Sequence, residues 1–370
     1  MNGIYIHIPF CKSKCPYCDF YSLRNNDDLK KQYVEALIDE INNNTRFKKH
    51  FNTEGFQADT IYLGGGTPSV LSGEDIYNII TALKTSYNIT DDAEITVECN
   101  PNSEIEALIP YFKKSGVNRI SLGMQSAVDN ERKKLGRSAD KQRIFDIINA
   151  FKTNGIYNIS LDIMLGVPEQ TLETLKQTLD FIKECDVKHI SAYILNLEEN
   201  TPFYKMQSKL KLPDEDAVCD FYEHTSNYLE NMGFEHYEIS NFALPGFESK
   251  HNTKYWLLDN YLGLGPSAHS FFNGKRYYFS NDIDAFISGE APVFDCDGGN
   301  MEEYIMLRLR LKQGLKLNEL KTLYGEAPVE NIIKKAPLLK EQGLVDFDGN
   351  VLALTKAGFL VSNSVISEFI

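Results

Sequence analysis

Short apolar runs alternate with amphipathic stretches along the first two-thirds of the chain. "IYIHIPF" (4–10) predicts a buried strand, and apolar positions at helical spacing predict a helix over 28–45. The same pair recurs: a strand at 60–63 and a helix at 73–86, then a strand at 94–97 and a helix at 103–115. A strand at 119–122 precedes helical patterns at 127–135 and 139–153. "ISLDIML" (159–165) leads to a helix at 170–184, and "HISAYIL" (189–195) to one at 213–232. Six β/α units in a row imply an α/β fold with a parallel sheet and right-handed crossovers. Six units, where a closed barrel has eight, predict an open or partial TIM-like barrel.

The stretch 233–285 is rich in aromatics and glycine and is expected to add strands and loops at the rim. A boundary is expected near 285–300, dividing a core over 1–285 from a smaller domain over 290–370. There "MEEYIMLRLRLKQG" reads as an amphipathic helix ending at Gly314, and "VENIIKKAPLLKEQG" as a helix that its proline breaks locally. Asp348-Gly349 marks a hairpin, with a final helix after it. Helices followed by a small hairpin resemble a winged-helix module.

Charge narrows the use of that module. Thirty-eight Lys and Arg against 52 Asp and Glu leave a formal charge of −14, which repels phosphate backbones. A structural or lid role fits the module better than DNA binding. No apolar run has the ~18 residues of a membrane span, and no secretory leader is visible. Seven cysteines, four of them scattered, do not form a secreted disulfide framework. A cytoplasmic, reducing setting with one dedicated thiol site is expected.

That site is "CKSKCPYCDF" (11–20), where Cys11, Cys15 and Cys18 follow the first strand. In β/α barrels, chemistry gathers at the C-terminal ends of strands. "GGGTPS" (64–69), Glu98, Gln125, Asp162 and Asn196 all fall at or near such ends. Two thiols in a short loop can be half a zinc site or a redox pair, but zinc asks for four ligands and a redox pair leaves Cys11 surplus. Three thiolates suit a [4Fe–4S] cluster with one iron left open. The glycine run reads either as a tight turn or as backbone that lets a ligand approach closely. Glu98 reads as a solvated carboxylate or a ligand contact. Asp162, among apolar neighbours, needs a partner. Arg137 in "LGR" gains meaning only from its loop.

"CKSKCPYC" followed by "GGGTPS" resembles the radical S-adenosylmethionine superfamily. With "YIHIPF", "VECNP", "SLGMQS", "LGR" and "LDIMLGVPEQT", the chain resembles the oxygen-independent coproporphyrinogen III oxidase family over nearly its whole length. The resemblance implies that Cys11, Cys15 and Cys18 ligate the cluster and that S-adenosylmethionine chelates the open iron. It places Tyr5 beside the cofactor, Gly65, Gly66 and Thr67 along its amino-acid part, and Glu98 on the cofactor or its ribose. Gln125, Arg137 and Asp162 match positions that contact a second cofactor molecule in the decarboxylating members. Tyr17 and Asn196 carry over as further cofactor contacts.

The family has two branches. Decarboxylating members carry another cysteine two residues after the third, where this chain has Phe20. The HemW-type heme chaperones instead carry a "CDF"-like ending and an H-N-x-x-Y-W motif, here "HNTKYW" (251–256), which holds the sole tryptophan. By itself the hexapeptide reads as packing. With the resemblance, His251 becomes a candidate to ligate or orient heme, and Tyr255 and Trp256 candidates to face the macrocycle. His7, His236 and His269 are further candidates. The expected function is heme binding and transfer to acceptor proteins, respiratory or membrane-associated, with oxidative decarboxylation of coproporphyrinogen III as the alternative.

Overall fold

In the computed structural model, the described residues are 1–43 and 55–370. The elements that build the barrel are β1 (Asn2–Ile8), α1 (Asp27–Asn43), β2 (Gln57–Gly65), α2 (Gly73–Ser86), β3 (Asn88–Cys99), α3 (Ile105–Ser115), β4 (Arg119–Gln125), α4 (Asp129–Lys134), α5 (Lys141–Thr153), β5 (Asn158–Leu165), α6 (Leu172–Cys185), β6 (His189–Ile194) and α7 (Glu215–Asn231). Each predicted β/α unit is present. Positions 44–45 of the first predicted helix lie outside the described residues.

Strands β1 to β6 lie side by side in chain order and all parallel, the arrangement that right-handed crossovers produce. The sheet then grows beyond the six predicted strands. On the β1 side come β9 (Tyr261–Leu264), also parallel, and the antiparallel β10 (His269–Phe272), β11 (Lys275–Tyr278) and β12 (Val293–Asp297). On the β6 side come the antiparallel β8 (Asn241–Ala243) and β7 (Glu235–Glu238). Twelve strands result.

Strand periodicity sorts side chains between helix layer and lumen. Ile61, Leu63, Val97 and Ile120 are fully buried in the apolar core. Between them, register builds polar rows across the lumen. Thr60 pairs with Glu94, and Tyr5, Tyr62, Thr96 and Arg119 form the next row. Glu98, Ser121, Ser160 and His189 form the row above, and Gly123, Asp162 and Ser191 the one above that.

Between β8 and β9 the chain makes helix α8 (Lys250–Leu257), which packs against β1 and β2. Ser249 caps it by accepting from the Asn252 amide. Lys254 anchors it to the strand starts, bonding the Met1 carbonyl at 3.0 Å and Asp59 at 2.7 Å.

The C-terminal part contains α9 (Ile283–Ser288), α10 (Met301–Arg308), β13 (Leu315–Lys316), α11 (Leu317–Tyr324), α12 (Ala327–Glu341), β14 (Val345–Phe347), β15 (Val351–Leu354), α13 (Lys356–Leu360) and α14 (Ser362–Ser367). β13, β15 and β14 make a small antiparallel sheet, so helices and hairpin form a winged-helix-like unit. Three expectations are corrected. The helix from Met301 ends at Arg308, not Gly314, because Leu311 leaves to bridge Glu238 and the Lys312 amide donates to the Tyr237 carbonyl. Pro337 does not break α12. The carbonyl it leaves unbonded belongs to Ile333, which is exposed and can be hydrated. The expected final helix is two short ones.

Candidate cofactor site and cavity

The loop after β1 is held at both ends. Phe10–Cys11 pairs with Leu23–Arg24, and the Asn25 amide donates to the Cys11 carbonyl at 2.9 Å. Inside it the Cys18 amide donates to the Cys15 carbonyl, and the Phe203 amide to that of Pro16. Cys11, Cys15 and Cys18 are free, half-buried thiols lining one cavity of about 880 Å³. Cys11 Sγ lies 3.3 Å from Thr67 Oγ1, so the cysteine loop meets the glycine loop directly. Burial raises the Cys18 thiol, with Cys15 and Cys11 adding to the rise. Among the described residues no three His, Cys, Asp or Glu side chains converge as a mononuclear metal site requires. Three free thiols on one loop suit a cubane, whose cysteines each hold a different iron. Cys99 also reaches the cavity wall, but its side chain is buried in the apolar core.

The glycine loop forms a cradle that only glycine allows. Gly65 has φ +105°, and a Cβ there would lie 2.6 Å from the His7 ring. A Cβ on Gly66 would meet the Phe10 carbonyl oxygen at 2.8 Å and the Ile8 carbonyl oxygen at 2.9 Å. Glu98 faces this cradle. Its Oε1 accepts from the Tyr62 hydroxyl at 2.7 Å and its Oε2 from the Gly65 amide at 3.2 Å. Burial pushes Glu98 up to about 7 despite these hydrogen bonds. Tyr5 is half-buried on β1 beside Tyr62 and does not itself line the cavity. His7 Nε2 donates to the Tyr21 carbonyl at 2.9 Å, so its Nδ1 accepts from the Tyr5 hydroxyl at 3.0 Å.

Across the cavity, Gln125 sits at a register shift in β4 with φ 72° and accepts from the Tyr193 hydroxyl at 2.8 Å. Arg137 donates to the Tyr17 hydroxyl at 2.8 Å. Asp162 accepts from Ser121 at 3.1 Å, and burial raises its carboxyl. All three, with Tyr17 and Asn196, line the cavity that the cysteines line. Phe20 stands at its wall, 66% exposed.

The hexapeptide lies elsewhere. His251 is 1% exposed on the barrel floor. Its Nδ1 lies 2.8 Å from the Thr60 hydroxyl and its Nε2 2.9 Å from that of Tyr255. Its ring stacks on Tyr62 with centroids 5.1 Å apart. Neither nitrogen reaches an iron unless this network opens. Burial, then the charges of Lys254 and Arg119, lowers His251 to about 3. Trp256 carries the Arg310 guanidinium on its face at 4.3 Å, and Arg310 lines the cavity. The Trp256 Nε1 and Arg310 Nε are buried without hydrogen-bond partners among the described residues. His7 is held as described, His236 is buried against Phe242, and His269 is exposed beside Tyr278.

Sequence reading missed Tyr62, Thr60, Glu94, Arg119 and Arg310. Tyr62 carried a signal, since it lies two residues before Gly64 and so on the same strand face. Thr60, Glu94 and Arg119 sit below the C-terminal strand ends, away from every motif.

Comparison with known proteins adds the following. Residues 5–182 match the Radical SAM superfamily and residues 300–361 the HemN C-terminal domain. The curated "Heme chaperone HemW" of Lactococcus lactis is 34% identical over all of this chain and 97% of the relative. That of Bacillus subtilis is 33% identical over all of this chain and 99% of the relative, and that of Escherichia coli 32% over all of this chain and 98% of the relative. The solved coproporphyrinogen III oxidase HemN of E. coli superposes with a TM-score of 0.84 over 99% of this chain and 89% of that one. At 22% identity that likeness concerns the fold.

Proposed function

The chain belongs to the HemW family of radical S-adenosylmethionine proteins, and from that premise we propose that it binds heme and hands it to acceptor proteins, respiratory or membrane-associated. Cys11, Cys15 and Cys18 hold a [4Fe–4S] cluster, which when bound supplies an electron donor and an open iron for S-adenosylmethionine. Thr67 orients the loop through Cys11, the Gly65–Gly66 backbone leaves room for the cofactor, and Glu98 offers it an acceptor.

The observation that carries the reading is the 880 Å³ cavity running from the cysteine loop to the C-terminal module. Its volume is in the range of pockets that enclose a small molecule or cofactor. Phe20 lends it an apolar face, and Arg310 on Trp256 presents a cation suited to a carboxylate. No helix among the described residues is long and apolar enough to cross a membrane.

The test is an anaerobic reconstitution followed by parallel assays of heme binding and coproporphyrinogen III conversion. A Soret shift without conversion is the expected result. Conversion at catalytic rates contradicts the proposal.

A further inference from the structure

The signature hexapeptide is built into the floor beneath the glycine cradle. Glu94, at the start of the polar rows, accepts from the Lys250 amide at 3.2 Å and the His251 amide at 3.1 Å. Two free amides of the first turn of α8 thus end on a carboxylate from β3, a favourable site for negative charge. Arg119 lies 4.0 Å from Glu94 behind it. Gly3 clears space for the imidazole, since a Cβ there would lie 3.1 Å from the His251 ring. The ring therefore occupies one place, fixed by Thr60 below, Tyr255 beside and Tyr62 across its face.

Tyr62 is the link upward. One side of it stacks on His251, and its hydroxyl donates to Glu98, which in turn accepts from the Gly65 amide. We propose that His251 is a positioning residue for the S-adenosylmethionine cradle: by holding Tyr62 it fixes Glu98 against Gly65. It is not an iron ligand. The proposal rests on the reading that this cradle takes S-adenosylmethionine.

The experiment measures S-adenosylmethionine affinity by equilibrium dialysis, and heme affinity by absorbance, on anaerobically reconstituted full-length protein. His251→Ala and Tyr62→Phe are each expected to weaken S-adenosylmethionine binding about ten-fold, the effect of mispositioning one hydrogen bond to a charged group. The double variant is expected to be no weaker than either single one, because both act through one contact chain. Heme affinity and the Soret band of His251→Ala are expected to match the parent.

Thr60→Val, which removes only the Nδ1 partner, is the milder variant should His251→Ala not fold, and it is expected to act in the same direction. Lys254→Met loosens α8 at another anchor and is expected to lower the urea midpoint while sparing S-adenosylmethionine affinity. Unchanged S-adenosylmethionine binding in His251→Ala overturns the proposal and spares the cradle reading. A lost Soret shift in that variant, or equal weakening by Lys254→Met, also overturns it. No S-adenosylmethionine binding by the parent protein overturns the cradle reading and the proposal together.

Discussion

Arg137 donates to the Tyr17 hydroxyl at 2.8 Å, and this bond joins the loop of the three cysteines to the chain segment after α4. Tyr17 also packs beside Phe203, with ring centroids 6.2 Å apart. The two contacts separate what the hydroxyl does from what the ring does.

Tyr17→Phe keeps the ring contact and removes the acceptor from a half-buried guanidinium on the cavity wall, which loosens this loop without exposing any core. The expected outcome is several-fold faster cluster loss to a chelator with little change in the thermal midpoint. Iron and sulfide analysis over time, beside a melting curve, checks it.

Glu98 sets a pH dependence. Burial lifts its carboxyl to about 7, so the folded protein holds a proton there that it releases as pH rises through about 7. A ribose hydroxyl or ammonium group is better accepted by the carboxylate. S-adenosylmethionine affinity is therefore expected to fall as pH drops below about 7, and Glu98→Gln to flatten the profile. Dialysis between about pH 6 and pH 8 measures it.

His251 sets another, on stability. Its folded value, lowered to about 3 by burial and then by Lys254 and Arg119, lies below the roughly 6.5 of an unfolded histidine. Between the two the unfolded chain binds the extra proton. The contribution of neutral His251 is thus present above about 6.5 and lost as pH falls toward 3. Urea midpoints in this acid range are expected to decline less steeply in His251→Gln than in the parent.

Gly66 offers a steric test. A Cβ there meets two carbonyl oxygens and the Phe10 nitrogen, all within 2.9 Å, and backbone cannot swing aside as a side chain can. Gly66→Ala is expected to lose about 1–3 kcal/mol of stability, the usual range for overpacking. A urea titration with an unchanged slope and a lower midpoint would establish this.

Much of this arrangement is legible in the sequence. Parallel strands point alternate residues inward, and the C-terminal ends of β1 to β5 named Cys11, Gly65, Glu98, Gln125 and Asp162 in turn. The floor was not legible. Thr60 and His251 are 191 residues apart, and nothing local to either tells that they meet. Glu94 and Arg119 belong to no motif, and their role follows from register alone. The hexapeptide was visible as a motif, but its direction was not, because a helix of eight residues can face cavity or floor with the same composition. The early end of α10 was hidden for a similar reason, since Leu311 is drawn off by Glu238 on a distant strand.

Heme delivery is tested by a transfer assay. Heme-loaded protein is mixed with an apo-acceptor of a heme-containing respiratory enzyme, and the Soret bands of both are followed after separation. Heme is expected to leave this chain and appear in the acceptor, faster than free heme at the same low concentration is taken up, with no porphyrinogen consumed. Heme that stays bound, or reaches the acceptor no faster than free heme does, contradicts heme delivery.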